Sequence, residues 1–148
     1  MHRYTVELRI VGEALDPDEV TRVLGIVPTR VARKGAPKVA GAASRWTANM
    51  WGHEVLPVGR DDWSSLEDGI ALLIGTFSPV RDRLLTYSAS NEIYLWCGHF
   101  TSSFDGGPTL SPTLLKSLGE FGVQLVLDTY SERKDEAPTR SEGVSLRP

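Results

Sequence analysis

The sequence predicts a single α+β domain with an antiparallel or mixed sheet and with helices mainly on one face of it. Segments with the two-residue period of strands alternate with segments of helical period, in the order β-α-β-β-α-β-α-β. The first six elements are expected to form a ferredoxin-like βαββαβ core, to which one helix and one strand are appended. The chain has 148 residues, 41% of them hydrophobic, which is enough for one hydrophobic core.

The first strand and the first helix are predicted by alternation and by a helix-start pattern. Apolar and polar side chains alternate over residues 3–10, which is typical of a strand with one buried face. Asp16 suits the N-cap position, Pro17 the first helical position, and Gly25 the left-handed residue that ends a helix. We therefore expect helix one to run from about Asp16 to Leu24.

The middle of the chain is predicted to contain two short strands and then a longer helix. Glycine and proline are frequent over residues 26–59, which excludes a long helix there and allows short strands. We place the strands near residues 27–32 and 45–50, with loops between and after them. Apolar residues then recur three and four apart, which predicts a helix that begins at Asp61 or Asp62.

The next predicted strand, over residues 93–100, is apolar on both faces. One of its faces presents the aromatic side chains of Tyr94, Trp96 and Phe100. Such a strand is normally central in its sheet and covered on both sides. The cover of these rings is expected to be either the loops of residues 26–59 or a second copy of the chain. We therefore predict that the three rings form an interface.

A second helix start resembles the first one. Ser111 suits an N-cap and is followed by Pro112, just as Asp16 is followed by Pro17, and each helix leads to a glycine. Each of these helices also stands between two predicted strands. We interpret this as a strand–helix–strand unit that is used twice.

The C-terminal residues are expected to lie outside the folded domain. Residues 131–148 contain few apolar side chains, so we predict a domain over residues 1–130 and a disordered tail after it. Cys97 is the only cysteine, which fits a reducing compartment. The sequence shows no apolar run of signal-peptide or membrane-span length, and we expect a cytoplasmic protein without membrane contact.

Basic side chains are concentrated in one part of the chain. Between Ile26 and Arg60 a single acid, Glu54, accompanies six basic residues: Arg30, Arg33, Lys34, Lys38, Arg45 and Arg60. This segment could attract a small anion, and the candidate ligand-binding residues are Arg30, Arg33, Lys34 and Trp46. The overall pI of about 5.6 argues against strong binding to nucleic acid.

The sequence offers no convincing catalytic or metal-binding constellation. Cys97 and His99 face the same way on one strand, but two adjacent ligands do not make a metal site. Side chains that leave one strand in parallel also rarely meet as nucleophile and base. We therefore expect no catalytic residues, no metal and no cofactor.

Several short motifs together resemble the bacterial family known as domain of unknown function 4279. In chain order they are Leu15-Asp16-Pro17, Leu24-Gly25-Ile26-Val27-Pro28-Thr29, Arg33-Lys34-Gly35, Trp46 and Leu110-Ser111-Pro112. The resemblance covers residues 4–130 and implies the same fold. The family has no established reaction, so the resemblance implies no chemistry.

The function expected from the sequence is that of a non-enzymatic binding or protein-interaction domain that self-associates, most simply as a homodimer. The alternative is a small-ligand or anion-binding domain that uses the basic residues 30–38, with or without a hydrolytic activity that leaves no signature in the sequence. An interaction domain needs a flat apolar patch, whereas a ligand-binding domain needs a concave site at which polar groups converge.

Overall fold

The computed structural model describes residues 1–132, so residues 133–148 of the predicted tail lie outside it. In chain order the strands and α-helices are β1 (His2–Gly12), α1 (Pro17–Leu24), β2 (Arg30–Ala32), β3 (Asn49–Val55), α2 (Leu66–Phe77), α3 (Arg81–Thr86), β4 (Glu92–Thr101), α4 (Pro112–Phe121) and β5 (Gln124–Ser131). Short 3₁₀ turns precede and follow α3. No helix in the described part of the chain is long and apolar enough to cross a membrane.

The strands form one mixed sheet in the order β2-β3-β1-β4-β5. Neighbouring strands are antiparallel, except that β4 and β5 are parallel. Helix α1 connects β1 to β2, which lie on either side of β3, and α2 with α3 connects β3 to β4, which lie on either side of β1. The first four strands thus form two interlocked split βαβ units, and α4 appends β5. The predicted α+β class is confirmed.

The main hydrophobic core lies between the sheet and the helices. Val6, Leu8 and Ile10 project from β1 into this core and are fully buried, as are Ile70 and Leu73 of α2. Their spacing explains their placement, because the strand repeats every two residues and the helix every three to four. Burial of each such side chain stabilises the fold by about 1.5–3 kcal/mol.

The helix starts predicted at Asp16 and Ser111 are confirmed, whereas the start predicted at Asp61 or Asp62 is wrong, because α2 begins at Leu66 with Ser65 as its N-cap. The Asp16 carboxylate accepts hydrogen bonds from the backbone N–H groups of residues 18 and 19, at 3.0 and 3.3 Å. The Ser111 hydroxyl accepts one from the N–H of Leu114, at 3.2 Å. Both helices end at a left-handed glycine, Gly25 with φ 67° and Gly122 with φ 83°. The two strand–helix–strand units therefore have the same start and the same stop.

Strand β3 begins later than the sequence predicts. The expected strand over residues 45–50 was misplaced, because Trp46 lies in the loop that precedes β3. Gly52, which was expected in a loop, lies inside the strand instead. A Cβ atom there would come within 3.3 Å of the Glu7 carboxylate carbon, so the close approach of that side chain explains the glycine. The strand predicted over 27–32 is formed only at Arg30–Ala32.

Candidate functional site

The sheet face opposite the helices, called here the helix-free face, carries a second buried cluster. Its buried members are Val11, Ala32, Met50, Tyr94 and Trp96, and the partly buried side chains packed against them are Trp46, Ala48, Val126 and Tyr130. Trp46 and Ala48 belong to the loop between β2 and β3. The loop between β2 and β3 therefore covers part of the helix-free face. Such a loop is one of the two covers expected from the sequence.

The three aromatic side chains predicted to form an interface are buried within the chain. Tyr94, Trp96 and Phe100 have 1%, 5% and 7% of their surface exposed. The Trp96 indole N–H donates a hydrogen bond to Asp128 at 2.7 Å, and Phe100 stacks on Tyr130 with ring centroids 5.2 Å apart. These rings form no exposed patch in this structure. That they form an interface with a second chain therefore remains a prediction, and no exposed surface supports it.

The polar side of β1 is buried, contrary to the prediction from the sequence. Thr5, Glu7 and Arg9 were placed on the polar face of a one-sided strand, yet their exposed fractions are 5%, 2% and 0%. Arg9 Nε donates to the Glu7 carboxylate, and the Arg9 guanidinium carbon lies 4.3 Å from the centroid of the Trp96 ring. Arg9 is therefore stabilised by an anion and by an aromatic ring.

Beside this ion pair the helix-free face contains a narrow cleft, called here the sheet cleft. Its lining side chains are Thr5, Glu7, Arg30, Glu54, Trp96 and Phe100. The space out to its mouth measures about 270 Å³, and the enclosed part has room for about one water molecule. As it stands, the cleft therefore admits a small chemical group and not a whole metabolite.

Three of the lining side chains meet over a glycine. Gly98 pairs with Thr5 across β1 and β4. A Cβ atom at Gly98 would lie 2.7 Å from Thr5 Oγ1 and 2.9 Å from ring atoms of both Trp96 and Phe100. Such distances are too short for any carbon atom, so only glycine lets the hydroxyl and the two rings meet here.

Two hydrogen-bond donors at the cleft have no hydrogen-bond partner among the described residues. They are the Thr5 hydroxyl oxygen and Nη1 of Arg30, and both are buried. The nearest ion pair of Arg30 joins its Nε to Glu7 Oε2 over 3.7 Å. A buried polar group without a partner costs about 1–3 kcal/mol, so two of them at one cleft call for an explanation.

The charges around the cleft nearly balance. Glu7 and Glu54 lie directly opposite each other on β1 and β3. Arg9 contacts Glu7 from one side and Arg30 lies on the other side, next to Gly52 of β3. Two carboxylates this close repel each other unless cations lie beside them, and the two guanidinium groups provide that charge.

The four predicted ligand-binding residues are not brought together. Arg30 lines the cleft. Arg33 and Lys34 are about half exposed and lie near acids that are distant in sequence: Arg33 is 3.3 Å from Asp18 and Lys34 is 3.5 Å from Glu13. The excess of basic residues seen in the sequence is therefore offset in space by acids from α1 and the turn before it.

Trp46, the fourth of these residues, packs against the buried cluster of the helix-free face. The Lys38 ammonium nitrogen lies 5.4 Å from the centroid of its ring. Trp46 is not among the residues that line the sheet cleft. Its role here is to attach the loop before β3 to the sheet.

Cys97 and His99 occupy the helix side of β4 and do not contact the sheet cleft. Burial raises the pKa of the Cys97 thiol to about 12, so the thiol is protonated at neutral pH. His99 lies 2.9 Å from a ring nitrogen of His2 and stacks on Tyr4 at 4.8 Å. Burial, together with the neighbouring His2, lowers the His99 pKa. Among the described residues no three potential metal ligands come together.

Comparison with known proteins identifies the family. A family model described as a domain of unknown function, DUF4279, matches residues 2–132. No curated protein and no solved structure matches the sequence. Because the family model covers most of the 148 residues, the resemblance noted in the sequence is confirmed, and the chain belongs to the DUF4279 family.

Proposed function

We propose that this chain is a non-enzymatic binding domain and that its ligand enters the sheet cleft. The observation that carries the proposal is the convergence of the Thr5 hydroxyl and Arg30 Nη1, two buried donors without hydrogen-bond partners, on a concave site with aromatic walls. Ligand sites typically combine apolar walls with a few convergent polar groups. A ligand that accepts hydrogen bonds from both donors removes the cost of leaving them unpaired.

Binding suits this site better than catalysis. An activated hydroxyl needs a base within hydrogen-bond reach, and the Thr5 hydroxyl has no hydrogen-bond partner among the described residues. The Glu7 carboxylate is engaged by Arg9. The Cys97 thiol lies on the other face of the sheet and is protonated. These groups can hold a ligand, but they are not arranged for nucleophilic attack or proton transfer.

The narrowness of the cleft limits how a ligand binds. The enclosed space has room for about one water molecule, so it holds a single polar atom of a terminal group, while the remainder of the ligand stays in the open part of the cleft beside Arg30. Arg30 is suited to that position, because its side chain keeps 29% of its surface exposed. We therefore propose recognition of a small polar group and not full enclosure of a substrate.

A thermal-shift screen of small polar metabolites tests this proposal. Compounds that stabilise the wild type should fail to stabilise Thr5→Val, which keeps the side-chain shape but lacks the hydroxyl. They should still stabilise Arg33→Gln, whose altered side chain lies outside the cleft. A ligand at 100 times its Kd adds about 2.7 kcal/mol of stability, which is readily detected. The proposal is overturned if the compounds that bind stabilise Thr5→Val as strongly as the wild type.

The proposal includes a cytoplasmic location. What supports it is the lone cysteine, Cys97, which is a free thiol. Free buried thiols are common in reducing compartments, where disulfides rarely persist.

A further inference from the structure

We infer that the group held in the sheet cleft is an uncharged planar amide, as found in carboxamides and ureas. This inference rests on the proposed function, because it assumes that the cleft is the ligand site. It follows from the hydrogen-bonding groups of the cleft, from the charges that line it and from its size.

The two donors of the cleft that lack partners favour a ligand with an oxygen acceptor. Thr5 is 95% buried, and its hydroxyl can donate one hydrogen bond into the cleft. Arg30 Nη1 carries N–H donors only, and it also lacks a partner. A carbonyl oxygen has two lone pairs and can accept from both donors at once.

The carboxylates of the same cleft favour a donor on the other side of the ligand. Glu7 and Glu54 both line the cleft, and an ionised carboxylate only accepts hydrogen bonds. A primary amide presents an NH₂ group next to its carbonyl oxygen. One amide can therefore face Thr5 and Arg30 with its oxygen and the glutamates with its nitrogen.

The cleft disfavours both anions and cations. Glu7 and Glu54 line it, whereas Arg9, which pairs with Glu7, does not. A carboxylate ligand would meet these two carboxylates. An ammonium or amidinium ligand carries hydrogen-bond donors only and could not accept from Thr5 and Arg30. A neutral amide avoids both problems.

The size of the cleft favours a small terminal group. Its enclosed part has room for about one water molecule, and Thr5, Trp96 and Phe100 fill the space over Gly98. The tetrahedral set of oxygens of a phosphate or sulfate is too large for this space, whereas the single carbonyl oxygen of a carboxamide or urea fits it.

The test is a titration of the ¹⁵N-labelled full chain, followed by NMR, with three fragments of nearly the same shape: acetamide, acetate and acetamidinium, at matched ionic strength. We expect saturable shifts of the Thr5 and Gly98 amide signals with acetamide, with a dissociation constant of about 1 mM or weaker for so small a fragment. Acetate and acetamidinium should bind at least about tenfold more weakly.

Variants then attribute the binding to the cleft. Thr5→Val should weaken acetamide binding roughly fivefold, which corresponds to one lost hydrogen bond. Thr5→Ser should restore it, and Arg33→Gln should leave it unchanged. A dispersed spectrum shows that each variant is folded. Acetamide binding that is equally tight in Thr5→Val overturns the inference.

The remaining outcomes separate this inference from the proposed function. If acetate or acetamidinium shifts the same signals with equal or higher affinity, the amide inference is wrong and the cleft is still the ligand site. If none of the three fragments shifts these signals, the amide inference is also wrong. In that case the metabolite screen decides separately whether the cleft binds another group.

Discussion

The guanidinium carbon of Arg9 lies 4.3 Å from the centroid of the Trp96 ring, in the buried cluster of the helix-free face. Arg9 also donates to Glu7, and neither charged side chain is more than 3% exposed. The contact with the ring compensates part of the lost hydration of the cation, and the carboxylate compensates the charge. The contact between Arg9 and Trp96 joins the middle of β1 to the aromatic side of β4.

Removal of one partner of the ion pair between Arg9 and Glu7 should be strongly destabilising. We expect Arg9→Met to lower the free energy of unfolding by about 3–5 kcal/mol, because the buried Glu7 carboxylate would lose its hydrogen-bonded cation and keep only Arg30, 3.7 Å away. Urea denaturation followed by far-UV circular dichroism measures the change. The double variant Glu7→Leu, Arg9→Met should recover much of the loss, since it buries no charge.

The matched control for that experiment is Arg33→Met. Arg33 lies 3.3 Å from Asp18, and both side chains are more than half exposed. Exposed pairs contribute little to stability. If Arg9→Met cost no more than Arg33→Met, the buried pair would not hold the sheet in the way we describe.

Gly98→Ala should destabilise the chain and also close the sheet cleft. The added methyl group would lie 2.7–2.9 Å from Thr5 and from the rings of Trp96 and Phe100, and overpacking of this kind costs about 1–3 kcal/mol. The control is Gly75→Ala in α2, where a Cβ atom meets nothing within 4 Å. That change should stabilise the helix by about 0.5–1 kcal/mol. Melting temperatures that move in the same direction for both variants would contradict the packing described here.

Trp96→Ser should destabilise the individual chain instead of separating two chains. Trp96 is 5% exposed within one chain, and truncation of a buried aromatic side chain costs about 3–5 kcal/mol. Sedimentation and thermal melts of the wild type and the variant distinguish the two roles. Phe104→Ser is the control, because that ring is 82% exposed and should matter little. A wild-type dimer that separates into folded Trp96→Ser monomers would favour the interface expected from the sequence.

The Cys97 thiol should react with thiol reagents only after the domain unfolds. It is fully buried, and burial raises its pKa to about 12, so almost no thiolate is present at neutral pH. We expect a chromogenic disulfide reagent to modify Cys97 within seconds in denaturant and extremely slowly in buffer. Rapid modification of the native protein would show that β4 opens locally.

The stability of the domain should fall as the pH is lowered below about 6.5. His99 has a lowered pKa in the folded state, because of burial and the adjacent His2. Below the unfolded-state pKa of about 6.5 the unfolded chain therefore binds a proton that the folded chain does not, which favours unfolding. The loss levels off once the pH passes below the folded-state pKa. Urea denaturation of the wild type and His99→Gln between pH 7 and pH 5 measures the effect, and an equal acid-induced loss in both would exclude His99 as its source.

The sequence allowed the fold to be predicted wherever a local pattern decides the structure. The caps at Asp16 and Ser111 are local hydrogen bonds, and the two-sided apolar pattern of β4 correctly indicated a strand covered on both faces. Strand β3 was misplaced because Gly52 signals a loop in the sequence. The close approach of Glu7 to that glycine is a contact between residues far apart in sequence, which a local pattern does not show.

The candidate site was largely missed for a related reason. The polar residues Thr5, Glu7 and Arg9 alternate on β1 just as solvent-exposed residues do, and a sequence pattern does not show that a loop and β4 aromatics cover them. One feature of the sequence did indicate that this side of β1 is buried. A strand with aromatic side chains on its second face needs buried neighbours, and β1 pairs with β4 along nearly its whole length. Arg33 was assigned to the site because its partner Asp18 is distant in sequence.

The pairing of β1 with β4 also affects how the protein is made. During synthesis β1 can pair with β3 as soon as Val55 has left the ribosome, but its other edge has no partner until the chain has been extended to Thr101. At about 5–20 residues per second, this interval lasts several seconds. For that time the nascent chain exposes an unpaired strand edge and the apolar side chains of its future core. Ribosome-associated chaperones should therefore bind the nascent chain most strongly between these two points of translation.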